Sequence, residues 1–210
     1  MHLQNKVALV TGINNDVGRI TAIAMAQAGA KVAIADEDEV RGEAIVKLIC
    51  QSGGEAFFHG TDITIERDVI ELVEAVVCRY DSLDIAFNNA SFEVDYLPIA
   101  QQSEDFVARL IDFNLNGTWT CIKQEIRQML LQSGGVIINN VIEQMVVLDV
   151  PCIGQTKRRL KPLPKLLRWN MRLTIFASMR SLLVFCKRRQ NLLQELKKVV
   201  KDLQALYLCL

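Results

Sequence analysis

Gly12 and Gly18 stand between an apolar run, Lys6-Val7-Ala8-Leu9-Val10-Thr11, and a helical pattern from Ile20 to Ala28. A glycine turn at that junction aims backbone N–H groups outward, and the helix dipole adds positive charge, so the stretch is a cradle for phosphate. A second apolar run, Lys31–Ala35, ends at Asp36. A carboxylate there accepts hydrogen bonds from ribose hydroxyls and repels a 2′-phosphate, which points to NAD over NADP. Asp36 also opens the acidic run Asp36-Glu37-Asp38-Glu39, which a solvated loop would carry equally well.

These groups need a scaffold that brings strand ends together. Continuous apolar runs recur at Lys6–Val10, Lys31–Ala35, Glu55–His59, Leu83–Phe87 and Val136–Val141. Helical patterns separate them: about Val17 to Gly29, a stretch ending at Cys50, Glu66 to Tyr80, and about Ser103 to Leu131 with a break expected near Gly117. Alternating strands and helices with unbroken apolar strands predict an α/β fold, a doubly wound parallel sheet covered on both faces. Right-handed crossovers gather the strand ends, and with them Thr11, Asp36, Asp62, Asn88 and Asn140, at one edge.

The chain has 210 residues, half of them hydrophobic, enough to bury one full core. Its net charge of zero conceals a split: residues 1–156 carry a net charge of −12 and residues 157–210 a net charge of +12. The six cysteines, Cys50, Cys78, Cys121, Cys152, Cys186 and Cys209, show no CxxC spacing, and His2 and His59 are far apart, so no metal site is expected. Scattered cysteines read as reduced, mostly core residues of a cytoplasmic protein. Neither a secretory signal nor a membrane span of roughly 20 apolar residues is expected.

The combination of Thr11-Gly12, Asp16-Val17-Gly18, Asp62, Asn88-Asn89-Ala90 and Asn114 within Phe113-Asn114-Leu115-Asn116-Gly117 resembles the short-chain dehydrogenase/reductase family over residues 1–157. The resemblance implies a Rossmann-type domain over that range. It implies dinucleotide contacts at Gly12, Asn14, Asn15, Asp16, Val17, Gly18, Asp36, Asp62, Ile63, Asn89 and Ala90. It places Asn114 and Lys157 in a catalytic tetrad, with Asn114 holding a water for proton relay. The implied reaction is hydride transfer between a nicotinamide dinucleotide and a small alcohol or carbonyl compound, in a homo-oligomer.

Three positions depart from that pattern. Asp16 stands where the family has its middle glycine, and a carboxylate there would crowd and repel a pyrophosphate. The catalytic serine position after strand five falls on Ile142 or Val141. The Tyr-xxx-Lys motif falls on Ile153-Gly154-Gln155-Thr156-Lys157, with isoleucine at the tyrosine position. The family's phenol, acidified by its lysine neighbour, exchanges a proton while hydride moves, and isoleucine cannot. Lys157 by itself also reads as a surface lysine in a basic run.

After Lys157 the pattern stops, giving way to Arg158-Arg159-Leu160-Lys161-Pro162-Leu163-Pro164-Lys165. Reading plausible codons one base earlier converts residues 158–172 to Ala-Ala-Val-Glu-Ala-Phe-Thr-Lys-Ala-Ala-Ala-Leu-Glu-Tyr-Ala. Residues 176–184 then read Ile-Arg-Ile-Asn-Ala-Val-(Ser/Ala)-Pro-Gly, the family's usual continuation. One base lost after the Lys157 codon accounts for the switch. The expected architecture is therefore a Rossmann-type domain over 1–157, its sheet ending at strand five, followed by a basic tail over 158–210. Leu192, Leu196, Val199, Leu203, Leu206 and Leu210 make that tail an amphipathic helix. It reads as a partner helix, as a basic surface for nucleic acid or membrane, or as an accidental product of the shifted frame.

The functional expectation is an NAD-dependent oxidoreductase impaired or inactive in turnover. The alternatives are a catalytically dead nucleotide-binding or interaction module, and a basic-tail binder of nucleic acid or a membrane surface.

Overall fold

The computed structural model describes residues 3–89, 101–132, 134–140, 176–178 and 181–185. Five parallel strands form the body of the sheet: β1 (Val7–Thr11), β2 (Lys31–Asp36), β3 (Glu55–Gly60), β4 (Ile85–Asn88) and β5 (Val136–Asn140). Helices α1 (Asp16–Gln27), α2 (Glu39–Gln51) and α3 (Glu66–Tyr80) connect the first four strands. Between β4 and β5 lie α4 (Glu104–Ile111), a π-helical turn (Asp112–Gly117) and α5 (Thr118–Leu131).

Both faces of the sheet are buried, which is why its strands read as unbroken apolar runs. In β1, Ala8 and Val10 face a core formed with Ala22 and Met25 of α1 and Ile45 and Ile49 of α2. Val7 and Leu9 face the opposite core, with Leu72, Val73 and Val76 of α3 and Ile122, Ile126 and Met129 of α5. A slip of one residue in β1 would exchange the two sets.

Local chemistry starts the helices. The Asn15 side chain accepts the Gly18 N–H at 3.2 Å and caps α1. Asp38 accepts the Arg41 N–H at 2.9 Å and caps α2, and Ser103 does the same for Phe106 at 3.2 Å in α4. Each cap satisfies a first-turn donor that lacks a partner in its own helix.

The strand order is β3-β2-β1-β4-β5. The chain therefore reverses its winding between β1 and β4, and a crevice opens there at the carboxyl ends of the strands. The expected break in the long helix is the π-helical turn, which ends on Gly117.

The parallel sheet ends at β5, as expected. Its open edge is taken by β7 (Ser181–Phe185), which pairs antiparallel with β5, and β6 (Phe176–Ser178) pairs with β7. The backbone of 181–185 thereby pairs the edge that β5 would otherwise leave open. The rest of the basic tail, including the leucine repeat from Leu192, lies outside the described residues. Among the described residues the cysteines divide between core and surface. Cys121 is buried, but Cys50 and Cys78 are exposed. Each follows a buried position by one or two residues (Ile49 and Val76), and so rotates onto the solvent face of its helix.

Candidate functional site

At the carboxyl end of β1, on its β2 side, lies a cleft of about 500 Å³. Gly12, Asn14, Asp36, Asp62 and Ile63 line it together, five of the residues picked out from sequence. Gly12 has φ of 73°, a left-handed conformation suited to glycine, and turns the chain out of β1. Its N–H donates to the Ala35 carbonyl at 2.9 Å, holding the turn against β2.

Asp36 fastens the same turn with its side chain. Its Oδ2 accepts the Ile13 N–H at 2.7 Å, and its Oδ1 accepts the Asp38 N–H at 3.1 Å. Asp62 is ordered within its own loop, where Oδ1 accepts the Thr64 N–H at 2.8 Å and the Thr64 hydroxyl at 2.7 Å. Ile63 is buried and gives the cleft an apolar wall.

Asn15, Gly18 and Asn89 form a brace under the turn. Asn89 Nδ2 donates to the Gly12 carbonyl at 2.6 Å and to Asn15 Oδ1 at 3.1 Å, and Asn89 Oδ1 accepts from Asn140 at 2.7 Å. Gly18 packs so tightly that a Cβ would lie 1.9 Å from the Gly12 carbonyl oxygen. Its lack of a side chain lets α1 approach the turn.

Asp16 does not line the cleft. Its carboxylate pairs with Arg19 at 2.8 Å on the exposed side of α1, its side chain 68% accessible. At the first helical position the Asp16 side chain is directed outward, along the helix surface. Val17 also lies outside the cleft, half-buried against the core on the α1 side.

Asn114 sits in the π-helical turn, buried, with Nδ2 donating to the Leu110 carbonyl at 3.1 Å. Its Oδ1 is buried without a hydrogen-bond partner. An amide oxygen left open in this way has an acceptor lone pair to offer. Ala90, Ile142, Ile153 and Lys157 lie outside the described residues.

Several site residues were not picked out from sequence. Arg41 of α2 donates to the Asn14 carbonyl at 2.8 Å and pairs with Asp38 at 3.5 Å, so it holds the turn from the far side. Arg109, Asp112 and Phe113 complete the rim from α4 and the π-helical turn. Glu37 shares that rim, and burial, with Asp62 and Asp36 nearby, raises its carboxyl above the ordinary range despite Arg109. The crossover before α5 delivers Arg109, Asp112 and Phe113 to the cleft, and the β2–α2 connection and α2 deliver Glu37 and Arg41.

Glu125 of α5 was also missed. It is fully buried, and burial raises its carboxyl to about 8, against the opposing effect of a hydrogen bond from Asn88. A signal for it existed. Cys121, Ile122, Ile126 and Met129 mark the buried stripe of α5, and Glu125 falls on the same stripe at helical spacing.

This geometry suits a dinucleotide. The glycine turn after β1, an acid at the end of β2 and an apolar wall at Ile63 line one cleft at the carboxyl ends of the strands. Known proteins agree. A sequence profile of the short chain dehydrogenase family matches residues 6–143. The chain is 41% identical over 140 residues to the short chain dehydrogenase/reductase astE of Aspergillus oryzae, covering 66% of this chain and 54% of that one. It is 35% identical over 153 residues to a 2,5-dichloro-2,5-cyclohexadiene-1,4-diol dehydrogenase of Sphingobium indicum, covering 73% of this chain and 60% of that one. The chain thus spans just over half the length of these relatives. Among solved structures, an NAD+-bound xylitol dehydrogenase superposes with a TM-score of 0.72 at 29% identity, covering 79% of this chain and 64% of that one. A short-chain type dehydrogenase/reductase from Mycobacterium ulcerans gives a TM-score of 0.73 at 26% identity, with 79% and 62% covered. By sequence and by fold, this chain belongs to the short-chain dehydrogenase/reductase family.

Proposed function

We propose that the chain binds a nicotinamide dinucleotide across the β1/β4 crevice, NAD in preference to NADP, with turnover impaired. The observation that carries this reading is the Asp36 carboxylate, which lines the cleft beside Gly12 while bracing the turn through Ile13. Its remaining lone pairs accept ribose hydroxyls, and its charge opposes a 2′-phosphate. Arg41, a cation beside it in the cleft, is engaged by Asn14 and Asp38. Gly12, Asn14 and Asn15 take the pyrophosphate region with the first turn of α1, Asp16 and Val17 contributing backbone rather than side chain. Asp62 and Ile63 take the adenine end, and Asn89 and Ala90 the strand end beneath the nicotinamide.

The bound dinucleotide would supply the hydride acceptor or donor. Asn114 offers its open amide oxygen to a water, and Lys157 would complete a tetrad whose serine and tyrosine positions are Ile142 and Ile153. Neither isoleucine can polarise a carbonyl or exchange a proton, so alcohol or carbonyl turnover is impaired. Calorimetric titration with NAD and NADP, run beside a dehydrogenase assay, tests both halves. Saturable NAD binding with little or no turnover supports the reading. Absence of binding by folded protein defeats the first half, and turnover at ordinary enzyme rates defeats the second.

A second reading concerns residues 158–210. The profile match ends at residue 143, and the charge changes sign near residue 157. We infer that this segment is translated from a shifted frame and is not a dedicated binder of nucleic acid or membrane. The coding DNA around Lys157 decides it. Codons that fail to spell the family's continuation one base earlier would reject the inference.

A further inference from the structure

Glu125 lies inside the molecule and outside the cleft, yet it is joined to the cleft by a short chain of hydrogen bonds. Asn88 Nδ2 donates to Glu125 Oε2 at 3.0 Å and to Asn139 Oδ1 at 3.0 Å. Thr11 Oγ1 donates to Asn88 Oδ1 at 3.3 Å. All four side chains are buried, from 0% accessible at Glu125 to 5% at Asn88. Both N–H donors of the Asn88 amide are therefore used, and its oxygen is engaged. A single side chain ties α5 to the carboxyl ends of β1, β4 and β5.

The residues next in sequence build the cradle. Gly12 follows Thr11, and Asn89 follows Asn88. The Asn89 N–H donates to the Thr11 carbonyl at 3.1 Å, and Asn89 Nδ2 to the Gly12 carbonyl at 2.6 Å. The two asparagines thus face opposite ways. Asn89 holds the glycine turn, and Asn88 holds the strand ends against α5.

We propose that Glu125 is a positioning residue for the dinucleotide cradle, anchoring Asn88 and through it Thr11 and Asn139, so that Gly12 and Asn89 keep a fixed register. The ligand half of this proposal rests on the reading of the cleft as a dinucleotide site; the anchoring half does not. An apolar residue at this point of the α5 stripe would pack equally well against the sheet. It would leave an Asn88 donor buried without an acceptor, which costs more than the bond is worth. Glu125 is also suited to the place electrostatically. The strand groups bonded into the network, Thr11, Asn88 and Asn139, are uncharged. On α5 its titratable neighbour is Cys121, whose thiol burial holds well above its ordinary range. On the α3 side Glu66 is occupied by Lys123 at 2.6 Å and Gln124 at 3.0 Å at the exposed rim.

The test uses the full chain and two readouts: amide hydrogen exchange, and calorimetry with NAD. Glu125→Ala is expected to speed exchange at the Gly12, Ile13 and Asn89 amides by about tenfold relative to the amides of β2 and β3. It is expected to weaken NAD binding by about tenfold. Glu125→Gln keeps an acceptor for Asn88 and should restore both. If E125A fails to fold, E125M, which refills the volume without an acceptor, is read in the same way. A uniform rise in exchange across the sheet, or unchanged exchange at the three amides, overturns the anchoring. Undiminished NAD affinity in E125A or E125M overturns the positioning of the ligand site. If the wild type binds no NAD while the three amides still respond, the dinucleotide reading fails and the anchoring stands.

Discussion

The Asp36 carboxylate accepts the Ile13 N–H at 2.7 Å, joining the end of β2 to the glycine turn after β1 across 23 residues of sequence. One side chain therefore shapes the cradle and presents charge to its contents. Asp36→Ala removes both roles. The expected result is NAD affinity reduced by about tenfold or more, with the NADP-to-NAD preference shifted toward NADP because the 2′-phosphate no longer meets a carboxylate. Parallel titrations with the two dinucleotides check it. An unchanged preference would show that Asp36 acts on the turn alone.

Asp16 provides the opposite case. Its side chain is exposed and paired with Arg19 in an i,i+3 contact. Asp16→Ala should change unfolding free energy by no more than about 0.5 kcal/mol in denaturant titrations. NAD affinity should rise less than about threefold, and that gain should vanish at high salt. A tenfold gain would show that the carboxylate turns into the cleft when the dinucleotide binds.

Gly18→Ala should be severe. The new Cβ would meet the Gly12 carbonyl oxygen, a backbone atom that cannot swing aside, at 1.9 Å. Destabilisation of about 3 kcal/mol is expected in chemical denaturation, with loss of the turn geometry. A loss below about 0.5 kcal/mol would mean that α1 can move off the turn at little cost.

Glu125 sets a pH dependence of stability. Its carboxyl is raised to about 8 in the folded protein, whereas an unfolded chain returns it to about 4.3. Below that lower value both states hold the proton and the group's contribution is fully present. As pH rises toward 8, the unfolded chain ionises while the folded one stays neutral. Stability is lost by up to about 1.4 kcal/mol per pH unit, levelling off above the folded value. E125Q should lack this slope, so its stability relative to wild type should rise between pH 5 and 8. Denaturant titrations across that range check it, and parallel curves for the two proteins would refute the assignment.

How legible these features were depended on how local their causes are. Val7–Thr11 and Lys31–Asp36 were readable because burial on both faces writes a continuous apolar run, and Glu66–Tyr80 because its apolar face repeats at helical spacing. Gly12, Asp36 and Asp62 were readable because each stands at the end of such a run. The direction of the Asp16 side chain was not readable, because sequence places a residue in a turn without saying which way its side chain leaves the helix. Arg41 and Arg109 reach the cleft only through the packing of α2 and α4, which no local pattern encodes. The strands at 176–178 and 181–185 owe their place to an edge that β5 offers from far away in sequence.

The most direct test of the account is calorimetric titration of the folded full chain with NAD. The account predicts saturable one-to-one binding, weaker for NADP and sharply reduced by D36A. No saturable heat from protein shown to be folded, or binding indifferent to D36A, would contradict it.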